Sequence, residues 1–319
     1  MTPGLIAAAN RAAQEAPMNR AALAPVEGRV LLVDGDGLAY YCAGKDDSPP
    51  ADARIRMMEK IESARLSGGC ESVRIFLTGS GSNKGWRYAL ASVKPYQGQR
   101  SDSRRPSNWK FLRDFMESGK AGPIEITYTA EADDLFAAFK GDGVIYTQDK
   151  DMRMIPGVHL DWITHQLITV PKDAWSVVSG DKVYGRKWFW LQMLHGDTVD
   201  NIPGLPRPDR CWYTADGEKI KGRAGEVLAN QLLDAGKPSD ALDIVAGLYK
   251  GLYGWFWLPH LLEQAALLWM RRKPEDWADC CNPGGPLHDL VEHENFSDAC
   301  LILQERIEEV RKYAQAQDN

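Results

Sequence analysis

The chain has 319 residues, 44% of them apolar, enough to bury a sizeable core as one large domain or two unequal ones. Its 38 Lys and Arg against 44 Asp and Glu leave a formal charge of −6, which argues against a uniformly basic surface for a polyanion. No uncharged apolar run reaches the roughly 18 residues of a membrane span, and Met1-Thr-Pro-Gly-Leu-Ile lacks the basic-then-apolar order of a signal peptide, so a cytoplasmic protein is expected.

Residues 1–26 are Ala-rich without a core pattern and read as a mobile tail. Val30–Val33 reads as a buried strand, followed by a helix over Ala51–Leu66 with apolar positions at Ile55, Met58, Ile61 and Leu66, stopped by Gly68-Gly69. Val73–Leu77 is the next strand, after which Thr78-Gly-Ser-Gly-Ser-Asn-Lys-Gly85 breaks all periodicity. Strand Ile124–Tyr128, helix Ala132–Phe139 and strand Val144–Tyr146 continue an alternation that implies a parallel sheet, with ligands at the carboxyl ends of its strands. From Arg186 the pattern turns helical: Trp188–Leu194, Ala224–Leu233, Ser239–Tyr249, His260–Arg271 and Leu301–Ala314, with a small hairpin over Cys211–Ile220.

Carboxylates stand at the ends of these elements. Asp34 closes the first strand, Glu131, Asp133 and Asp134 open a helix that Thr129 could cap, Asp149 and Asp151 follow a strand, and Asp197 and Asp200 follow a helix. Taken singly, each group has an ordinary reading: helix capping for the triplet, a solvated turn for Asp149 and Asp151, a helical face or a tight turn for Asp197 and Asp200. Taken together, they would meet in one crevice of an α/β sheet. Two carboxylates ~4 Å apart repel by roughly 4 kcal/mol at an effective dielectric of about 20, so such a cluster implies bound cations. Oxygen ligands without histidine favour Mg²⁺ or Mn²⁺ over zinc, and a pair of such ions suits in-line phosphoryl displacement.

Between Lys84 and Arg113 the chain carries Lys84, Arg87, Lys94, Arg100, Arg104, Arg105, Lys110 and Arg113 against one acid, Asp102. This stripe is expected to guide a phosphodiester backbone toward the metals. The six cysteines lack a Cys-x-x-Cys pair and read as reduced thiols, Cys280 and Cys281 near His288 and His293 included. Tyr40, Tyr41 and Trp109 read as core packing, as do Trp188, Trp190, Trp255, Trp257 and Trp269, whereas Trp86 stands in a polar loop suited to base stacking.

Five blocks in order, Leu31-Leu-Val-Asp-Gly35, Tyr96-Gln-Gly-Gln-Arg100, Glu131-Ala-Asp-Asp134, Thr147-Gln-Asp-Lys-Asp151 and Gly196-Asp-Thr-Val-Asp-Asn-Ile-Pro-Gly204, resemble the 5′-nuclease or flap endonuclease superfamily, most closely the phage-type 5′→3′ exonucleases. The resemblance implies an α/β fold with a PIN-like, mostly parallel sheet flanked by helices over 27–180, a basic arch over 79–113, and a helical region over 181–319 containing a helix-three-turn-helix DNA-binding element. It implies one metal at Asp34, Glu131, Asp133 and Asp134, and a second at Asp149, Asp151, Asp197 and Asp200. Lys84, Arg87, Lys94 and Arg100 are then the candidates for phosphate steering and transition-state charge. Arg104, Arg105, Lys110, Asn201, Ile202, Gly204, Lys221 and Arg223 are the candidates for DNA contact, the Asn201–Pro206 segment through its backbone amides with a K⁺ ion.

The implied activity is 5′→3′ exonucleolytic cleavage of duplex DNA, with flap-endonuclease and RNase H activity, by a monomer acting on DNA and RNA–DNA hybrids. The chain departs from the family pattern in three places. No acid follows the second strand at Leu77-Thr-Gly-Ser-Gly81, Gln97 stands where the family has a lysine, and Arg207 interrupts the glycine-rich continuation. Rival readings are a PIN-type ribonuclease on single-stranded RNA and a non-catalytic structure-specific DNA-binding protein.

Overall fold

The computed structural model describes residues 23–45, 47–100, 104–205 and 225–317. The tail up to residue 22, Pro206, the hairpin at 211–220, Lys221 and Arg223 lie outside the described residues.

Six strands form one sheet: β1 (Val26–Asp34), β2 (Cys70–Thr78), β3 (Ile124–Thr127), β4 (Gly143–Tyr146), β5 (Gly157–Leu160) and β6 (Leu167–Val170). Their order is β3-β2-β1-β4-β5-β6, parallel throughout except for β6, which runs antiparallel to β5. Successive residues of the central strands serve opposite faces, as the pleat requires. Leu31, Val33, Ile75, Leu77, Val144 and Tyr146 pack into one apolar body, while Leu32, Phe76 and Ile145 pack into the other.

The first body is covered by α1 (Gly35–Cys42), α2 (Pro50–Ser67) and, after the short α3 (Arg87–Leu90) on the opposite side, by α4 (Trp109–Glu117). The buried stripe of α2 is Ala53, Met57, Ile61 and Ala64, whereas Ile55 and Met58 point outward. The apolar face is therefore rotated from the expected one, keeping Ile61 but replacing Ile55 and Met58 with Ala53, Met57 and Ala64, whose small alanines let the helix approach the sheet. The second body holds α5 (Ala132–Ala138), α6 (Arg186–His195), α7 (Glu226–Asp234), α8 (Ala241–Tyr253), α9 (Trp257–Leu268) and α10 (Phe296–Gln317) against the sheet.

The α/β architecture with a mostly parallel sheet and a helical C-terminal region is the one read from the sequence. A boundary at 180 falls within the hairpin of β7 (Val177–Ser179) and β8 (Lys182–Tyr184), and the second apolar body runs across it. No helix among the described residues is long and apolar enough to cross a membrane. Trp188, Trp190 and Trp257 are buried, but Trp255 is 90% exposed at the turn between α8 and α9, and Tyr40 is 46% exposed, so neither is core.

Strand order passes outward from β1 in both directions, to β2 and β3 on one side and to β4 and β5 on the other. The carboxyl ends of β1 and β4 therefore flank a crevice at a topological switch point.

Candidate metal centre

Asp34 is the last residue of β1 and the N-cap of α1, its Oδ1 accepting from the Gly37 amide at 2.8 Å. Across the crevice, Thr147 Oγ1, just past β4, donates to Asp34 Oδ2 at 2.8 Å. Asp149 follows and accepts from the Asp151 amide at 2.8 Å. Glu131 is the N-cap of α5 and closes a capping box with Asp134, so Asp133 is presented from the first turn. Thr129 is not the cap: its hydroxyl donates to Glu275 at 2.7 Å.

Asp197 and Asp200 lie in a tight turn after α6, closed by paired backbone hydrogen bonds between Asp197 and Ile202. Gly196 and Gly204 cross within this turn, both at positive φ. A Cβ on Gly204 would lie 2.3 Å from the Gly196 nitrogen, so a side chain cannot be accommodated there.

These segments bring the acids together. Carboxylate oxygens of Asp151, Asp197 and Asp200 lie within 4.8 Å of one another. Burial raises Asp34 to about 6, helped by the Asp36 carboxylate. Burial also raises Asp149 to about 6, assisted by Asp34 and Asp197, and Asp200 to about 6, assisted by Glu131 and opposed by Arg100. Asp133, half-buried and desolvated beside Asp149, Asp34 and Glu131, is raised well above the usual carboxylate range, and so is the buried Asp151 beside Asp149, Asp197 and Asp200. Asp133 has no hydrogen-bond donor among the described residues. Asp197 differs: burial opposes its charge, but Lys150 Nζ at 3.0 Å and the Val199 amide at 2.7 Å outweigh it and lower its pKa.

A cluster so short of positive charge binds protons or cations. Its oxygen-only donor set fits hard divalent ions such as Mg²⁺ or Mn²⁺. Asp34, Glu131 and Asp133 would face one such ion, and Asp149, Asp151, Asp197 and Asp200 a second.

Asp134 corrects the expected ligand set. Both its oxygens are taken by Arg87, at 2.7 and 2.9 Å, and Oδ1 also accepts from the Arg271 amide at 3.0 Å. Burial opposes its charge, yet Arg87 and Arg271 hold its pKa below the usual range. Arg87 is correspondingly no phosphate-steering cation: it has no exposed surface and also donates to the Leu267 and Trp269 carbonyls at 3.3 and 3.1 Å.

The basic stripe is likewise not one continuous guide. Arg113 pairs with Asp36 and donates to the Thr78 carbonyl at 2.6 Å, Lys110 pairs with Asp114 on its own helix at 2.8 Å, and Arg105 lies over the Trp109 ring at 4.2 Å. Lys94 and Arg104 are exposed. Trp86 is half-buried beneath Arg311, 4.4 Å from its ring centroid. Lys84 turns toward the acids: its ammonium hydrogen-bonds Gln97 Oε1 and lies 3.5 Å from Glu131 Oε1. Arg100 reaches Asp200 Oδ1 at 2.6 Å.

The Asn201–Leu205 amides are only partly available to a phosphate. That of Ile202 is spent on the Asp197 carbonyl at 2.7 Å, that of Leu205 on the Leu194 carbonyl at 2.7 Å, and Asn201 Nδ2 donates to the Pro95 carbonyl at 2.9 Å.

Five contributors were missed. Tyr96 is buried and its hydroxyl contacts Glu131 at 2.8 Å and Asp200 at 3.0 Å, while Gln97 Nε2 donates to Asp200 at 2.9 Å, tying together acids 69 positions apart. Lys150 neutralises Asp197, and Gln192 donates to Asp151 at 2.5 Å. Asp36 accepts from the Thr78 amide at 2.9 Å, setting a carboxylate at the end of β2 where the chain has no acid of its own. Asp36 carried a signal, standing two residues after Asp34, and Tyr96, Gln97 and Lys150 stood within blocks singled out for other residues.

No protein-family model and no curated protein matches the chain. Among solved structures, a bacteriophage T5 protein co-crystallised with metal ions aligns with TM-score 0.49 and 16% identity, covering 87% of this chain and 99% of that one. T5 5′-exonuclease with zinc bound aligns with TM-score 0.48 and 15% identity, covering 88% and 99%. The T5 flap endonuclease in a pseudo-enzyme–product complex with DNA and metal ions aligns with TM-score 0.44 and 17% identity, covering 88% and 99%.

Proposed function

We propose that this protein is a divalent-metal-dependent nuclease that hydrolyses DNA phosphodiesters from 5′ ends, acting as a 5′→3′ exonuclease with flap-endonuclease activity. The observation that carries this reading is the convergence of Asp34, Glu131, Asp133, Asp149, Asp151, Asp197 and Asp200, from four separate stretches of chain, on the crevice at the carboxyl ends of β1 and β4. The five sequence blocks shared with that superfamily supply the substrate class.

When bound, two Mg²⁺ or Mn²⁺ ions would lower the pKa of a water and stabilise the leaving oxygen. The chain's own groups arrange the rest. Tyr96 and Gln97 bridge Glu131 and Asp200 and so fix the spacing between the two halves of the acid cluster. Thr147 orients Asp34, and Gln192 orients Asp151. Lys84, poised beside Glu131, supplies the ammonium that meets charge developing on the phosphate. Gln97 carries that lysine by accepting its hydrogen bond, which accounts for an amide where the family pattern has a cation.

The deciding experiment uses 5′- and 3′-labelled duplex, nicked and flapped DNA, with single-stranded RNA alongside, with and without Mg²⁺. Short products released from 5′ ends only with Mg²⁺ are expected. Cleavage confined to the RNA would identify a PIN-type ribonuclease instead, and binding without product a structure-specific DNA-binding protein.

A further inference from the structure

Three polar atoms on one face of α6 are buried with no hydrogen-bond partner among the described residues: the Trp188 indole Nε1, Gln192 Oε1 and His195 Nε2. At about 100° of turn per residue, positions 188, 192 and 195 fall within roughly 60° of arc, so the three side chains rise from a single stripe of the helix. The rise from Trp188 to His195 is about 10.5 Å along the axis, yet their ring centroids stand 5.8 Å apart, edge to face. Both rings therefore lean toward each other over Gln192, which lies between them in the stripe and has no exposed surface.

The three atoms are complementary to one small molecule. An indole nitrogen only donates, and an amide oxygen only accepts. His195 Nδ1 lies 2.6 Å from the Gly196 carbonyl, which can only accept, so Nδ1 carries the proton of the neutral ring and Nε2 is a second bare acceptor. A cation would be repelled by the indole N–H, and an anion by the two acceptors. A water satisfies all three: it accepts from Trp188 and gives one proton to Gln192 and the other to His195, the usual number of bonds for a buried water.

The consequence lies at the other end of Gln192. Its Nε2 donates to Oδ1 of the buried Asp151 at 2.5 Å. Turned over, the amide would aim its oxygen at that carboxylate instead. A proton donor on Oε1 fixes the orientation in which Nε2 faces Asp151. We infer that one buried water, held by Trp188 and His195, locks Gln192 and through it Asp151, making His195 a positioning residue for the second metal ion. The inference rests on the nuclease reading above and adds a support behind a ligand which that reading uses.

The test uses the full chain. A crystal structure fine enough to show ordered water should place one within hydrogen-bonding distance of all three atoms; none there, or one touching a single atom, overturns the site. Mn²⁺ titrated by calorimetry in the absence of DNA gives a second readout, independent of cleavage. His195→Phe keeps a ring but loses the acceptor, and should weaken Mn²⁺ binding at one of two sites by about tenfold or more. His195→Gln, which returns an acceptor near Nε2, should restore most of it. In a Gln192→Met background, His195→Phe should cost nothing further. Trp188→Phe removes the donor instead, should also weaken Mn²⁺ binding, and serves where His195→Phe does not fold.

Unchanged Mn²⁺ affinity in His195→Phe or, where that variant does not fold, in Trp188→Phe overturns the inference. So does failure of His195→Gln to restore binding. An undiminished loss in the Gln192→Met background would route the effect through the neighbouring turn that carries Asp197, and overturns it as well. Mn²⁺ binding with these dependences in a protein that cleaves no DNA would overturn the nuclease reading and leave the water site standing. Mg²⁺-dependent cleavage by a protein whose metal affinity ignores His195 would do the reverse.

Discussion

Arg87 and Asp134, 47 residues apart in the chain, form a two-pronged ion pair with Nη1–Oδ2 at 2.7 Å and Nη2–Oδ1 at 2.9 Å, and neither side chain reaches solvent. Because Asp134 belongs to the turn that carries Glu131 and Asp133, the pair anchors that turn to α3, and the Arg271 amide on Asp134 with Arg87 on the Trp269 carbonyl ties both to the loop after α9. Arg87→Met leaves a buried carboxylate without its partner and is expected to cost about 3–5 kcal/mol in urea denaturation. Arg87→Met with Asp134→Leu, which removes both charges, should recover most of it. A stability equal to that of the single variant would show that the ion pair is not the source of the loss.

Asp133 and Asp149 face each other's field across the crevice with few donors of their own. Asp133→Asn or Asp149→Asn should lower Mg²⁺-dependent cleavage by about 10²–10³-fold or more, while a gel shift in Ca²⁺ shows DNA binding retained. Near-normal turnover in either variant would remove the acid cluster from the reaction.

Lys84, Arg87 and Lys94 were equivalent candidates for phosphate steering, and their surroundings separate them. Lys84→Met is expected to slow single-turnover cleavage by about 10²-fold, whereas Lys94→Met, whose side chain is exposed, should be indistinguishable from wild type. Equal loss from both would return the role to a diffuse basic surface.

Without metal, Asp34, Asp149 and Asp200 stand at about 6 against an ordinary 3.8, so the folded state binds their protons more tightly than the unfolded chain. Their contribution to stability is full below 3.8 and is lost as pH rises through about 6. Asp134, Asp161 and Asp197, whose pKa values are lowered, change only below their ordinary value. His159, lowered by burial to about 4, and the lowered His195 and His260 act in the opposite sense as pH rises toward 6.5 and offset part of the loss. The raised Asp133 and Asp151 reinforce the loss. The metal-free protein should therefore melt at a lower temperature near pH 7.5 than near pH 5. Mg²⁺ should raise the melting temperature more at the higher pH, as differential scanning fluorimetry in EDTA and Mg²⁺ will show. A metal-free Tm that is flat across this interval would mean that the carboxylates do not crowd one another.

Much of this centre was legible because the signals were local. An apolar run buried on both faces, such as Leu31–Val33, reads as a strand, and an acid at its end then has a place in the sheet. What the sequence hid depends on partners far away. Nothing in the order Lys84-Gly-Trp-Arg87 distinguishes a cation meant for solvent from one meant for an acid beyond the next strand. Helix α4 was concealed within the basic stripe, since only Leu112 and Met116 of its residues are fully buried. Strands β5 and β6, four residues each, are too short to show alternation, and His159 interrupts the apolar pattern of β5.

Leu32, Phe76 and Ile145 of the sheet share one apolar body with Trp188, Leu261 and Leu303 of the helices. Neither half possesses an interior of its own on that side. A fragment ending near residue 180 would display a wide greasy face to water and be expected to clump rather than fold. Melting of the intact protein should instead proceed as a single transition, sheet and helices dissolving together.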